Sequence, residues 1–252
     1  MRITVLRSFF LLFIFAFTGL YAQETAIMVR AKAKDAKFIG SSVGGAKIYI
    51  KNAETGEILA EGLTKGSTGN TEKIMNRPRE RNENLAKEST AGFLANIDIK
   101  EPVFVTVEAH APINKKQATV ISSTQLWLIP GKDITGDGVV LEVPGFVVDI
   151  LSPQTHERIP QTKEVEIMAN IILMCGCPVT EGGIWDANQY EVKALISSEN
   201  KQVNEVEMKV GEKPSTFSAK TNLDAGLYEI TVYAFDPAAG NTGVDKTNFI
   251  IN

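Results

Sequence analysis

Met174-Cys175-Gly176-Cys177-Pro178 gathers three sulfur side chains within four residues. Two thiolates with a thioether beside them suit a soft ion such as Cu(I), and zinc also accepts sulfur ligands. Met174, Cys175 and Cys177 are therefore a candidate copper or zinc site. The same spacing permits two other states, a pair of small buried core cysteines and a Cys-x-Cys disulfide. Side chains two apart on a straight strand point in parallel, so a disulfide requires a bend at Gly176. If the preceding strand ran on, Cys175 and Cys177 would face inward and Met174 outward.

Asp133-Ile134-Thr135-Gly136-Asp137-Gly138 places oxygen ligands at alternate positions, with glycine for a sharp turn. Asp133, Thr135 and Asp137 are thus a candidate calcium set. The bidentate acid expected near position twelve is missing, because Pro144 stands there. Asp-Gly is also a common hairpin turn, and that is the preferred reading.

Other chemistry has little to build on. The chain holds two histidines, His110 and His156, and no cysteines beyond that pair. It carries no His-Glu-x-x-His, no Gly-x-Ser-x-Gly elbow and no phosphate-cradling loop. A non-enzymatic protein is expected. The net charge of -4 over 252 residues provides no basic stripe to displace the counterions of a nucleic acid.

The elements that would position these residues are strands. Period-two alternation recurs in Ala46–Lys51, Phe93–Ile99, Val103–Ala109, Ala118–Ile129 and Val139–Val143. It resumes in residues 165–173 and 190–196 and at Val206, Met208 and Val210. No segment shows a capped helical stripe. The expected fold is all-β, two consecutive β-sandwich domains after an N-terminal signal peptide.

Residues 1–22 read as that signal. Arg2 and Arg7 precede an apolar run from Phe9 to Phe17, and the small residue Ala22 stands before Gln23. The apolar run is short for a bilayer core of about 30 Å, so cleavage and an extracytoplasmic location, periplasmic or secreted, are expected. No later segment reads as a transmembrane span in the mature chain. Pro144-Gly145 divides the remainder into residues 23–145 and 146–252, two expected folding units with a protease-sensitive joint near 143–147. Between Ser67 and Thr90 the chain is polar, and Arg77, Arg79 and Arg81 alternate with Glu80 and Glu83. This is a solvated loop or a partner-binding one.

Two resemblances refine the picture. Gly45 to Glu57, a strand followed by a Thr55-Gly56 turn, resembles the carboxypeptidase regulatory-like and transthyretin-like β-sandwiches. That likeness implies an accessory domain. Asp224-Ala225-Gly226-Leu227-Tyr228-Glu229-Ile230 resembles the immunoglobulin-superfamily pattern Asp-x-Gly-x-Tyr-x-Cys, and residues 236–251 are similar to the close of bacterial Ig-like domains. The likeness implies a corner role for Tyr228, with Ile230 in the place of the core cysteine. An accessory or binding protein with a protein or cell-surface partner is the expected function.

Overall fold

A computed structural model describes residues 23–162 and 164–252. The proposed signal, residues 1–22, lies outside the described residues. Seven strands form the first unit: β1 (Gln23–Ala33), β2 (Lys47–Asn52), β3 (Ile58–Leu63), β4 (Phe93–Ile99), β5 (Val103–Ala111), β6 (Val120–Leu128) and β7 (Ile134–Val143). They make two sheets, ordered β4-β1-β7 and β3-β2-β5-β6. Alternation explains the layering. Ile48 and Ile50, Val105 and Val107, and Ala95 and Ile97 bury the facing sides.

Nine strands form the second unit: β8 (Phe146–Ser152), β9 (Glu157–Ile159), β10 (Val165–Leu173), β11 (Glu191–Ser198), β12 (Lys201–Glu207), β13 (Lys209–Val210), β14 (Thr216–Thr221), β15 (Gly226–Phe235) and β16 (Thr242–Ile251). Their sheets are β13-β14-β10-β8 and β12-β11-β15-β16-β9. The alternation expected to run through Val206, Met208 and Val210 holds across the change of sheet, with Glu205, Glu207 and Lys209 exposed between them. Met208 is buried where the chain leaves β12 in one sheet for β13 in the other, and Val206 and Val210 pack half-buried against the core on either side of it.

Every strand ladder stays within residues 23–143 or 146–252. The architecture is two β-sandwiches, with the Asp224–Ile230 corner in the second. Its corner has the expected form: the Tyr228 hydroxyl donates to the Asp224 carbonyl at 3.1 Å, its ring stacks on Phe249, and Ile230 is fully buried. Tyr228→Phe is expected to cost about 1 kcal/mol, the value of one net hydrogen bond. Urea denaturation that leaves the variant level with the parent would show the hydroxyl to be idle.

The joint departs from expectation. Gly145 is no exposed hinge. Its N–H donates to the Asn241 side chain at 2.8 Å, and the Met174 methyl packs beside it. Asn241 also donates to the Lys34 carbonyl, and the Trp185 indole N–H donates to the Asp35 carbonyl at 2.9 Å. Lys115 pairs with Asp149 at 2.6 Å. These bonds bind the two sandwiches to each other near the connection, where Gly145 is buried although Pro144 is exposed, so Gly145 is not the free hinge expected of a protease-sensitive joint.

Candidate functional site

The cysteine segment forms a tight bend. β10 ends at Leu173, whose N–H donates to the Cys177 carbonyl at 3.1 Å, and Gly176 takes φ +78. The expected strand continuation therefore stops two residues short of Cys175. Glycine permits the left-handed backbone that folds the segment back. The Cα atoms of Cys175 and Cys177 stand 5.3 Å apart, and the two sulfurs are joined in a disulfide. Met174, assigned an outward direction on the straight-strand reading, is buried instead, as are both cysteines. The bend sits against the first sandwich, where a Cβ on Gly176 would meet Val43. In this oxidised form neither sulfur offers a thiolate to a metal.

The Asp133–Gly138 segment is not a hairpin turn. It is a bulge in β7, which runs parallel to β1. The register jumps from Ile27 opposite Ile134 to Val29 opposite Val139. Gly138 makes the jump possible, since a Cβ there would lie 2.1 Å from the Met28 carbonyl oxygen. The carboxylates of the candidate calcium set are engaged by backbone. Asp133 accepts from the Ala26 N–H at 2.9 Å, and Asp137 accepts from Leu85 and Ala86, each at 2.8 Å. Among the described residues no three His, Cys, Asp or Glu side chains converge in a metal-binding arrangement.

Those bonds reveal what Asp137 does: it pins the long polar loop. The loop crosses the outer face of β1 and is tied at several points. Ser67 and Ala91 exchange contacts with Ser89 and Ser67 respectively, through N–H donors at 2.8 and 2.9 Å. Residues Glu72–Asn76 form one π-helical turn that rests Met75 on the core. Beneath the loop lies Arg30, only 4% exposed. Its guanidinium donates to the carbonyls of Thr90, Ala91 and Gly136, the second at 2.9 Å, while Nε has no partner. Burial lowers the pKa of Arg30, and the nearby Asp137 carboxylate opposes that shift. Along the loop Glu83 pairs with Arg77 and with Lys73, Arg79 approaches Asp137 at 3.8 Å, and Arg81 stays exposed. Sequence reasoning missed Arg30. Its one signal was an arginine within the apolar run Ala26–Ala31 of β1.

The histidines are apart from the cysteines. His110 stands on the outer face of β5, 3.3 Å from Glu108, which also binds Lys51 at 2.8 Å. The Lys51 hydrogen bond is the main cause of the lowered pKa of Glu108. His156 lies in the turn before β9, with its N–H donating to the Asn248 carbonyl. A cleft of about 750 Å³ between the β11–β12 turn and the start of β15 is lined by Ser198, Asn200, Tyr228 and the carboxylates of Glu199 and Glu229. It holds neither histidine nor cysteine.

Near the joint, burial raises the pKa of Asp35, and neighbouring Asp236 adds to the shift. A carboxyl whose folded pKa is raised withholds stability once pH climbs past its unfolded value, and restores it below that value. Asp35→Asn should therefore stabilise the protein at neutral pH and do nothing at strongly acid pH. Asparagine also tolerates the φ of +54 found there. Equal melting temperatures for parent and variant at pH 7 would contradict this. Solvent access to Asp35 keeps the gain small.

No known protein family matches the chain, and no curated protein matches it. Among solved structures it is similar to the fibronectin(III)-like modules of Clostridium thermocellum CbhA, at 12% identity over 91% of this chain and 94% of that one, with a TM-score of 0.30. A three-Ig fragment of titin matches at 14% identity over 91% of this chain and 66% of that one, TM-score 0.25. An engineered protein matches half of this chain at 19% identity and TM-score 0.33, and the matched part spans 24% of that protein's length. Among the described residues no helix is long and apolar enough to cross a membrane.

Proposed function

We propose that this chain is an exported, non-enzymatic accessory or binding protein. In this reading two β-sandwich domains, 23–145 and 146–252, hold the loop of residues 67–90 toward a protein or cell-surface partner. The first domain is of the carboxypeptidase regulatory-like or transthyretin-like kind, which the β2–β3 hairpin around Thr55-Gly56 supports. The observation that carries the functional reading is the anchoring of the loop by buried Arg30 and by Asp137. A loop fixed before binding loses less entropy when a partner arrives. Arg77, Arg79 and Arg81 lie on its exposed side.

The test is recovery of the partner from cells that make the protein. Triple reversal of Arg77, Arg79 and Arg81 to Glu should reduce partner recovery about tenfold or more, the effect of losing about 1.4 kcal/mol or more of binding. Unchanged recovery would remove the loop from the interface. Export has its own measurement. The intact mass of the exported protein should correspond to a chain beginning at Gln23, and a mass that includes residues 1–22 would refute cleavage.

A soft-metal site at Met174, Cys175 and Cys177, for copper or zinc, is the alternative and belongs to the reduced form. Thiol counting without reductant, followed by Cu(I) titration against a chelator, separates the two. Two free thiols together with no competition for Cu(I) would retire the metal reading.

A further inference from the structure

Gln23 is the residue that signal cleavage after Ala22 leaves at the head of the exported chain. It is also where β1 begins, paired with Ile99 of β4. A glutamine with a free α-amine carries its own electrophile, because the side-chain amide carbon can be reached by that amine to close a pyrrolidone ring.

The structure leaves this residue free to react and suited to hold the product. Gln23 is exposed, and its side-chain amide lies across Gly131. A Cβ at position 131 would come within 2.3 Å of the Gln23 Nε2, so glycine there leaves the amide room to swing back toward its own backbone nitrogen. The closed ring fixes the backbone much as proline does, and proline is tolerated at the first residue of a strand. Unlike proline, the lactam keeps one N–H donor.

We propose that Gln23 is a modification site, cyclised to pyroglutamate once residues 1–22 are removed. The inference rests on the cleavage proposed above. The neutral α-amine attacks the Gln23 Cδ, so that an N–Cδ bond forms and the Cδ–Nε2 bond breaks. A proton of the amine passes to Nε2, which leaves as ammonia. The step consumes no oxidant and no second substrate. An α-amine with an ordinary pKa of about 7.7–8.0 supplies the neutral nucleophile near neutral pH. The product has no terminal positive charge.

The consequence is protection of a central strand. β1 lies between β4 and β7, and the residues just after Gln23 hold the turn that joins β6 to β7. The Gly131 N–H donates to the hydroxyl of fully buried Thr25 at 3.0 Å, and the Ala26 N–H donates to Asp133 at 2.9 Å. An aminopeptidase needs a free α-amine, so the lactam stops trimming before Thr25 is reached.

The test is the intact mass of the exported protein. The expected species is the chain from Gln23 less one ammonia, about 17 Da light. Pyroglutamyl peptidase should remove the cyclised residue and open Glu24 to Edman degradation. Gln23→Ala should be exported without the deficit and be trimmed by an aminopeptidase that leaves the parent intact. A chain that starts at Gln23 with full mass and a free amine would overturn the modification and leave the cleavage standing. A chain with any other first residue would overturn both. A deficit that persists in Gln23→Ala would place the lost ammonia elsewhere and overturn the inference.

Discussion

Arg30→Met should lower the stability of the protein by about 2–4 kcal/mol and release the 67–90 loop from β1. Methionine retains much of the apolar stem but supplies no donor. The carbonyls of Thr90, Ala91 and Gly136 then lose the guanidinium, and the first two are held in a buried setting where an unpaired acceptor costs about 1–3 kcal/mol. Removing one member of a buried charged network is more damaging than replacing the whole, and here Asp137 loses a nearby buried cation and keeps Arg79 at 3.8 Å. Urea denaturation measures the first effect. A loss below about 0.5 kcal/mol would mean that the loop is held without Arg30.

The second large effect is expected at the joint. Trp185→Ala should cost about 3–5 kcal/mol, the range for deleting a buried aromatic ring. Trp185 belongs to the second sandwich by sequence, yet its indole N–H donates to Asp35 of the first. The substitution leaves a cavity between the sandwiches and strips the Asp35 carbonyl of its donor. Proteolysis near residues 143–147, slow in the parent because Gly145 is bonded to Asn241, should become fast in the variant. Trp185→Phe should lie between, keeping most of the burial and losing the hydrogen bond. Cleavage at the joint at the same rate in parent and Trp185→Ala would show that the sandwiches are not locked together by this contact.

How much of this was legible follows the range of each interaction. The sheets were readable because alternation is local: Ile48 and Ile50, or Val105 and Val107, announce a buried face within a few residues. Tyr228 and Ile230 were readable because a corner is also local, with the hydroxyl reaching only four residues back. The loop's order was invisible, since Arg30 reaches Thr90 and Asp137 reaches Leu85 across long stretches of chain. Asp133-Gly138 has turn residues, and nothing nearby says that Gly138 must make room for the Met28 carbonyl. Pro144-Gly145 looked like a linker because Asn241, which bonds Gly145, comes almost a hundred residues later. The cysteine segment was half legible: the need for a bend at Gly176 came from strand geometry, while the redox state did not.

Amide hydrogen exchange at Leu85 and Ala86 tests most directly whether the loop is a preformed surface. Both N–H groups donate to Asp137 in the middle of a polar, charge-rich segment that would otherwise exchange freely. Protection at these two amides approaching that of the β1 strand, and lost in Asp137→Ala, is the predicted result. Exchange at the rate of an unstructured peptide in the parent protein would contradict it and would leave the 67–90 loop without a fixed binding surface.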